Sequence, residues 1–143
     1  MKNARKPNPA SDVMRMTLEG TLCSGLGEGA GFIALDWVDR QFRDKLGYRP
    51  YPGTLNLSLE GADWIAAREA MQLADGIAIE PQAGFCAAKC FAVLIDGSVA
   101  GAAVLPEVGD YPEHKLEIVA PVAVRRELRL NDGDRVRLLL QIE

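Results

Sequence analysis

Apolar positions recur along this chain with two different periods. Over residues 16–22 the order Met-Thr-Leu-Glu-Gly-Thr-Leu alternates apolar and polar side chains, the two-residue period of a strand buried on one face. Leu35, Val38, Phe42 and Leu46 then fall at helical spacing. Asp36 and Asp39 lie near the start of that segment, Arg43 and Lys45 near its end, and Gly47 supplies a stop. Alternation returns in Thr54-Leu55-Asn56-Leu57-Ser58-Leu59. Residues 61–71 are alanine-rich, with Trp64, Ile65, Ala67 and Met71 near helical spacing, which predicts a short helix. Strands are predicted over 76–80 and over 86–95. The latter is apolar nearly throughout and is expected to be buried on both faces. Asp96-Gly97 reads as a hairpin turn into a strand over 98–105. A polar loop (106–114), a strand ended by Pro121 (116–120), a helical turn (124–128) and an Asn131–Asp134 turn follow. Val136, Leu138, Leu140 and Ile142 alternate in a last strand. Six or so strands and two or three short helices predict a mainly β fold, a small barrel decorated by helices.

The 143 residues suffice for one domain with a proper core, expected over 13–143 behind a polar, basic tail at 1–12 that is expected to be disordered. An apolar share of 48% and a charged share of 25% are those of an ordinary globular chain. No apolar run approaches the roughly 20 residues that span a bilayer. The basic start has no apolar core behind it, as a secretory signal would. The expectation is a cytoplasmic protein without a membrane partner. A net charge of −4 and a pI of about 5.1 argue against broad contact with nucleic acid. Three cysteines and one histidine are too few for a disulfide scaffold. Cys86 and Cys90 would share one strand face without the spacing of a zinc site, so they read as buried thiols.

Candidate chemistry is concentrated in a few places. Gly25, Gly27, Gly29 and Gly31 occupy every second position ahead of the first helix. Such a run lets backbone amides approach a phosphate at a helix N-terminus, although a flexible turn has the same composition. It lacks the Gly-Lys-Ser/Thr of a Walker A loop, and the chain lacks repeated βαβ units. Pro50, Pro52 and Gly53 make a stiff, turned entry to the alternating segment at 54–59. With the leucines inward, Thr54 and Asn56 share the opposite face. There a hydroxyl and an amide oxygen can accept a hard cation or contact a phosphate, or simply form a polar outer face. Glu117, between Leu116 and Ile118, meets an arginine, faces a cleft, or lies outward on an edge strand. Arg125 and Arg126 suit a phosphate clamp or a solvated basic turn. Asp110 and Asp134 read as turn residues, and His114 as exposed. No serine or cysteine has an evident histidine base, which disfavours nucleophilic hydrolysis.

Three of these segments carry a resemblance, in order along the chain. They are Ser24-Gly25-Leu26-Gly27-Glu28-Gly29; Leu46-Gly47-Tyr48-Arg49-Pro50-Tyr51-Pro52-Gly53-Thr54-Leu55-Asn56; and Leu116-Glu117-Ile118-Val119-Ala120-Pro121 with Arg125 and Asp132-Gly133-Asp134 after it. From about residue 17 to 140 the chain resembles the archaeal CTP-dependent riboflavin kinases. The resemblance implies a single six-stranded cradle-loop β-barrel that transfers the terminal phosphate of CTP to riboflavin with magnesium, giving FMN and CDP. It implies nucleotide contacts at Gly25, Leu26, Gly27, Glu28, Gly29 and Ala30 and again at Val122, Ala123, Val124 and Arg125. It implies magnesium ligands at Thr54 and Asn56, and flavin contacts at Gly109 and at Glu117, the candidate catalytic residue. Gly109 departs from the family, which carries a threonine there. That departure motivates a second reading, a non-catalytic barrel that binds a nucleotide or flavin, or a kinase for another small alcohol. A third is a structural or DNA-binding barrel, because 125–142 also resembles swapped-hairpin DNA-binding domains; the net charge and the glycine run speak against it. The chain begins on a basic tail where some members carry a winged-helix domain, so no transcriptional role and no nucleic-acid partner are expected. A monomer is the expected state.

Overall fold

In a computed structural model, which describes residues 13–24, 35–82, 87–109 and 111–143, the alternating segments become strands of one closed sheet. The strands are β1 (Met14–Cys23), β2 (Leu55–Ser58), β3 (Ile77–Ile79), β4 (Ala88–Ile95), β5 (Val99–Pro106), β6 (Lys115–Val119) and β7 (Arg135–Ile142). Antiparallel pairing runs β4-β5-β6-β2-β1-β7, and β7 pairs back onto β4 through Val93↔Leu140 and Ile95↔Leu138. This makes a six-stranded antiparallel barrel. The seventh strand, β3, takes the first half of the β4 edge that β7 leaves unpaired (Ile77↔Cys90).

The two-residue period explains the core. Leu18 and Leu22 of β1, Leu55 and Leu57 of β2, and Val136, Leu138, Leu140 and Ile142 of β7 are all buried inward, while Arg135 and Arg137 stay outside. β4 departs from the expectation that both its faces are buried. Phe91, Val93 and Ile95 fill the barrel, but outside only Ala88 and Cys90 are covered and Ala92 is exposed. The cover is α1 (Asp36–Leu46), whose Val38 and Phe42 lie on Ile79, Cys90, Ala102, Val104 and Val119. Helix α1 reaches only the first half of β4, which is why the other half is wet. It stops at Gly47, whose φ of 84° suits glycine and whose N–H returns to the Arg43 carbonyl. The β4–β5 hairpin turns on Asp96 and Gly97, both left-handed (φ 48° and 73°), with the Ser98 N–H returning to the Ile95 carbonyl before Val99 pairs with Ile95.

Helix α2 (Ala62–Leu73) joins the barrel core through Trp64, Ala67 and Met71, and the Trp64 indole N–H donates to the Glu113 carbonyl at 2.8 Å. A short α3 (Val124–Glu127) adds Val124 to the same core. Among the described residues no helix is long and apolar enough to cross a membrane. The tail at 1–12, the glycine run at 25–31, Cys86 and Asp110 lie outside the described residues.

Candidate functional site

Burying Leu55 and Leu57 turns Thr54 and Asn56 to the opposite side of β2, as the alternation requires. The Asn56 amide donates to the Thr54 hydroxyl at 3.3 Å and to the Thr54 carbonyl at the same distance. Asn56 lies opposite Cys23 on β1 and Glu117 on β6, and Glu117 lies opposite Val104 on β5. These four positions form a row across the outward face. The Cys23 thiol reaches the Asn56 carbonyl at 3.5 Å.

Glu117 therefore points outward, but β6 is flanked by β2 and β5 and is not an edge. Its partner is a tyrosine, not an arginine. The Tyr111 hydroxyl donates to Glu117 Oε1 at 2.9 Å. Burial, the Glu117 charge and the hydrogen bond to that carboxylate push the Tyr111 phenol well above its usual range, and the Arg68 guanidinium partly offsets them. Tyr111 has no role in the sequence reading. Its one signal is to be the lone aromatic side chain in the polar loop before Glu117.

A cleft of about 420 Å³ opens where β2 begins and β6 ends. Tyr51 and Thr54 line one side, and Val122, Ala123, Val124 and Arg125 the other. The sides are tied by the Tyr51 N–H, which donates to the Ala120 carbonyl at 2.7 Å. The cleft thus brings one expected magnesium ligand together with all four expected nucleotide contacts of the second segment. Arg125 donates to the Cys23 carbonyl at 3.3 Å and to Asp132 Oδ1 at 2.5 Å, while Ser24 donates to Asp132 Oδ2 at 2.7 Å. The hydrogen bonds from Ser24 and Arg125, with the guanidinium charge, hold the Asp132 carboxyl below its usual range. This cluster ties α3 to the end of β1, next to the glycine run.

The other expected residues sit apart from the cleft wall. Asn56 joins it through Thr54, and Glu117 stands beside Asn56 across the strand pair. Gly109 lines a separate cavity of about 250 Å³ with Arg68, Lys89 and Glu107, and a Cβ there would meet nothing within 4 Å. Gly25, Leu26, Gly27, Glu28, Gly29 and Ala30 lie outside the described residues. His114 is exposed, with Nδ1 3.3 Å from the Leu59 carbonyl, and Asp134 accepts the Asn131 N–H within its own turn.

Among the described residues no group of three His, Cys, Asp or Glu could hold a metal ion. Thr54 and Asn56 offer two neutral oxygens, too little for an all-protein cage. They fit magnesium in its usual nucleotide-borne form, with water and phosphate supplying the rest of the shell. In the present arrangement Asn56 turns its N–H toward Thr54, so its amide must rotate for both side-chain oxygens to face one ion.

Residues 22–140 match the sequence profile of the family CTP-dep_RFKase, described as a domain of unknown function, DUF120. The chain is similar to proteins named riboflavin kinase from three archaea. That of Methanococcoides burtonii is 41% identical over 134 residues, 91% of this chain and 59% of that protein. That of Methanocella arvoryzae is 41% identical over 124 residues, covering 87% and 56%. That of Halobacterium salinarum is 38% identical over 138 residues, covering 91% and 59%. The chain spans about three-fifths of the length of these relatives. With the profile matched over most of its length, the chain belongs to the CTP-dep_RFKase family.

Proposed function

We propose that this chain transfers the terminal phosphate of CTP to riboflavin, with magnesium, giving FMN and CDP. The observation that carries the reading is the cleft, in which Thr54 meets Val122–Arg125 from almost 70 residues further along the chain. Phosphoryl transfer depends on positioning and charge neutralisation more than on a strong base, and these residues supply positioning. Tyr51 and the stretch 122–124 wall the nucleotide away from water. Thr54 and Asn56 hold the magnesium, which when bound neutralises charge on the transferring phosphate. Glu117, held through Oε1 by Tyr111, presents Oε2 to the hydroxyl of the acceptor.

Purified protein incubated with riboflavin, magnesium and either CTP or ATP is expected to form FMN, faster with CTP. Formation of no FMN with any nucleotide overturns the reading. Asn56→Ala is expected to lose turnover, and full activity in that variant refutes its role at the metal. Because the ion depends on phosphate oxygens, magnesium titrated without nucleotide is expected to give no binding heat. A second reading, a barrel that binds without catalysing, draws on Gly109, which offers its cavity no side chain. Tight CTP or FMN binding without turnover would favour it.

A further inference from the structure

Arg126 also lines the cleft, and it differs from its neighbour in one respect. Arg125 is already committed. Its guanidinium bonds to the Cys23 carbonyl and to Asp132, and Asp132 is held in turn by Ser24. For Arg125 to serve a ligand it must leave a carboxylate whose proton affinity is depressed by that same pairing. The Arg126 guanidinium has no hydrogen-bond or ion-pair partner among the described residues; only its backbone is bonded, within the turn of α3. Successive residues on a helical turn leave the axis about 100° apart, so the two side chains take different directions. Among the described residues no aspartate or glutamate lines the cleft, although the whole chain carries a net charge of −4. A guanidinium without a counter-ion among the described residues, in a cleft whose described lining carries no carboxylate, is a standing site for an anion.

We propose that Arg126 is the cation that contacts the phosphate groups of a nucleoside di- or triphosphate in this cleft. Arg125 is a positioning residue that ties α3 to the end of β1. This assignment rests on the nucleotide reading of the cleft and extends it to a residue outside the stretch 122–125. Arg126 supplies the fixed positive charge that Thr54 and Asn56, both neutral, do not.

The test is calorimetry of the full chain with CDP, CTP and cytidine at several salt concentrations. In Arg126→Gln, CDP affinity is expected to fall about 10- to 100-fold, as for loss of a charge-assisted hydrogen bond. Cytidine affinity is expected to stay at the wild-type value, and the salt dependence of CDP binding to flatten. Arg126→Lys is expected to recover part of the loss. Arg126 is exposed, so both variants are expected to melt with the wild type. Wild-type CDP affinity in Arg126→Gln overturns the assignment, as does an equal loss for cytidine and CDP. If the wild type itself binds neither CTP nor CDP, the nucleotide reading of the cleft has failed. If it binds both and Arg126→Gln binds them equally well, only the assignment of Arg126 has failed.

Discussion

Glu117 owes its orientation to a neutral donor. A tyrosine hydroxyl fixes one carboxylate oxygen without cancelling the charge, as an arginine would, which leaves the second oxygen for the acceptor hydroxyl that the proposed function requires. Tyr111→Phe removes the donor and keeps the ring. Losing about 1 kcal/mol of orientation predicts a KM for riboflavin raised about fivefold with kcat largely retained. Steady-state kinetics check this, and an unchanged KM refutes Tyr111 as the residue that positions Glu117. Cys90, fully buried beneath α1, makes a different prediction. Burial pushes its thiol from 9.0 up to about 12. Since the thiolate is the reactive form, a Cys23→Ser, Cys86→Ser variant is expected to take up no thiol reagent at pH 8 until it is unfolded. The native pKa is raised, so the thiol's contribution to stability is complete below about pH 9 and is lost as pH rises toward about 12. Tyr48, raised from 10.0 to about 12 mainly by burial, acts in an overlapping window. Cys90→Ala therefore isolates the thiol: its urea midpoint is expected to fall less steeply than the wild type's above pH 9. Parallel decline in the two proteins would count against the assignment.

At the scale of elements, helix α2 shows how tertiary contact replaces a local stop signal. It ends without a glycine cap. Instead Lys89 reaches from β4 to donate to the Gln72 and Ala74 carbonyls, both at 2.8 Å. Lys89→Met keeps the aliphatic stem and removes three N–H donors, leaving carbonyls of the last turn unpaired. A cost of about 1–3 kcal/mol is expected. At this chain length that is a Tm lower by several degrees, and an unchanged melt would show that solvent serves those carbonyls equally well. Elements that declare themselves through a local period are legible in the sequence: β1, β2, β7 and α1 all lie within two residues of their expected positions. Contacts between distant segments are not. Nothing in the order of residues says that Lys89 caps a helix, that α1 covers only half of β4, or that Tyr111 meets Glu117. Gly101 is another such case. A Cβ there would stand 2.5 Å from the Val119 carbonyl, so its smallness serves the approach of β6, a strand formed some 15 residues later. The site divides in the same way. Alternation puts Thr54 and Asn56 on one face, whereas nothing local in the order of residues brings Thr54 to one cleft with 122–125.

For the molecule as a whole, barrel closure and the cleft depend on each other. The last strand, β7, lies between β1 and β4, and its Leu138 is fully buried across from Leu18 and Ile95. Leu138 is not among the residues lining the cleft, yet the wall is built from the ends of β2 and β6 and from α3, all held by the same core. Leu138→Ala is therefore expected to cost about 2–5 kcal/mol while leaving the nucleotide affinity of the folded protein unchanged. On the nucleotide reading of the cleft, CDP at a hundredfold excess over its Kd should return about 2.7 kcal/mol of that loss, because the cleft exists only in the closed barrel. The two tryptophans test whether the barrel interior and the layer under α1 unfold together. Trp64 is part of the inner cluster, and Trp37 packs against the outer one. In a Trp37→Phe variant the fluorescence reports the interior, and in a Trp64→Phe variant it reports the outer layer. If the molecule is one cooperative unit, each signal changes at the same urea midpoint as the far-UV circular dichroism of its own variant, and Leu138→Ala lowers both midpoints together. Loss of the Trp37 signal at lower urea than the circular dichroism would instead show that α1 detaches from a barrel that stays closed. The cleft, whose walls are the ends of β2 and β6 and the turn of α3, should then still bind CDP.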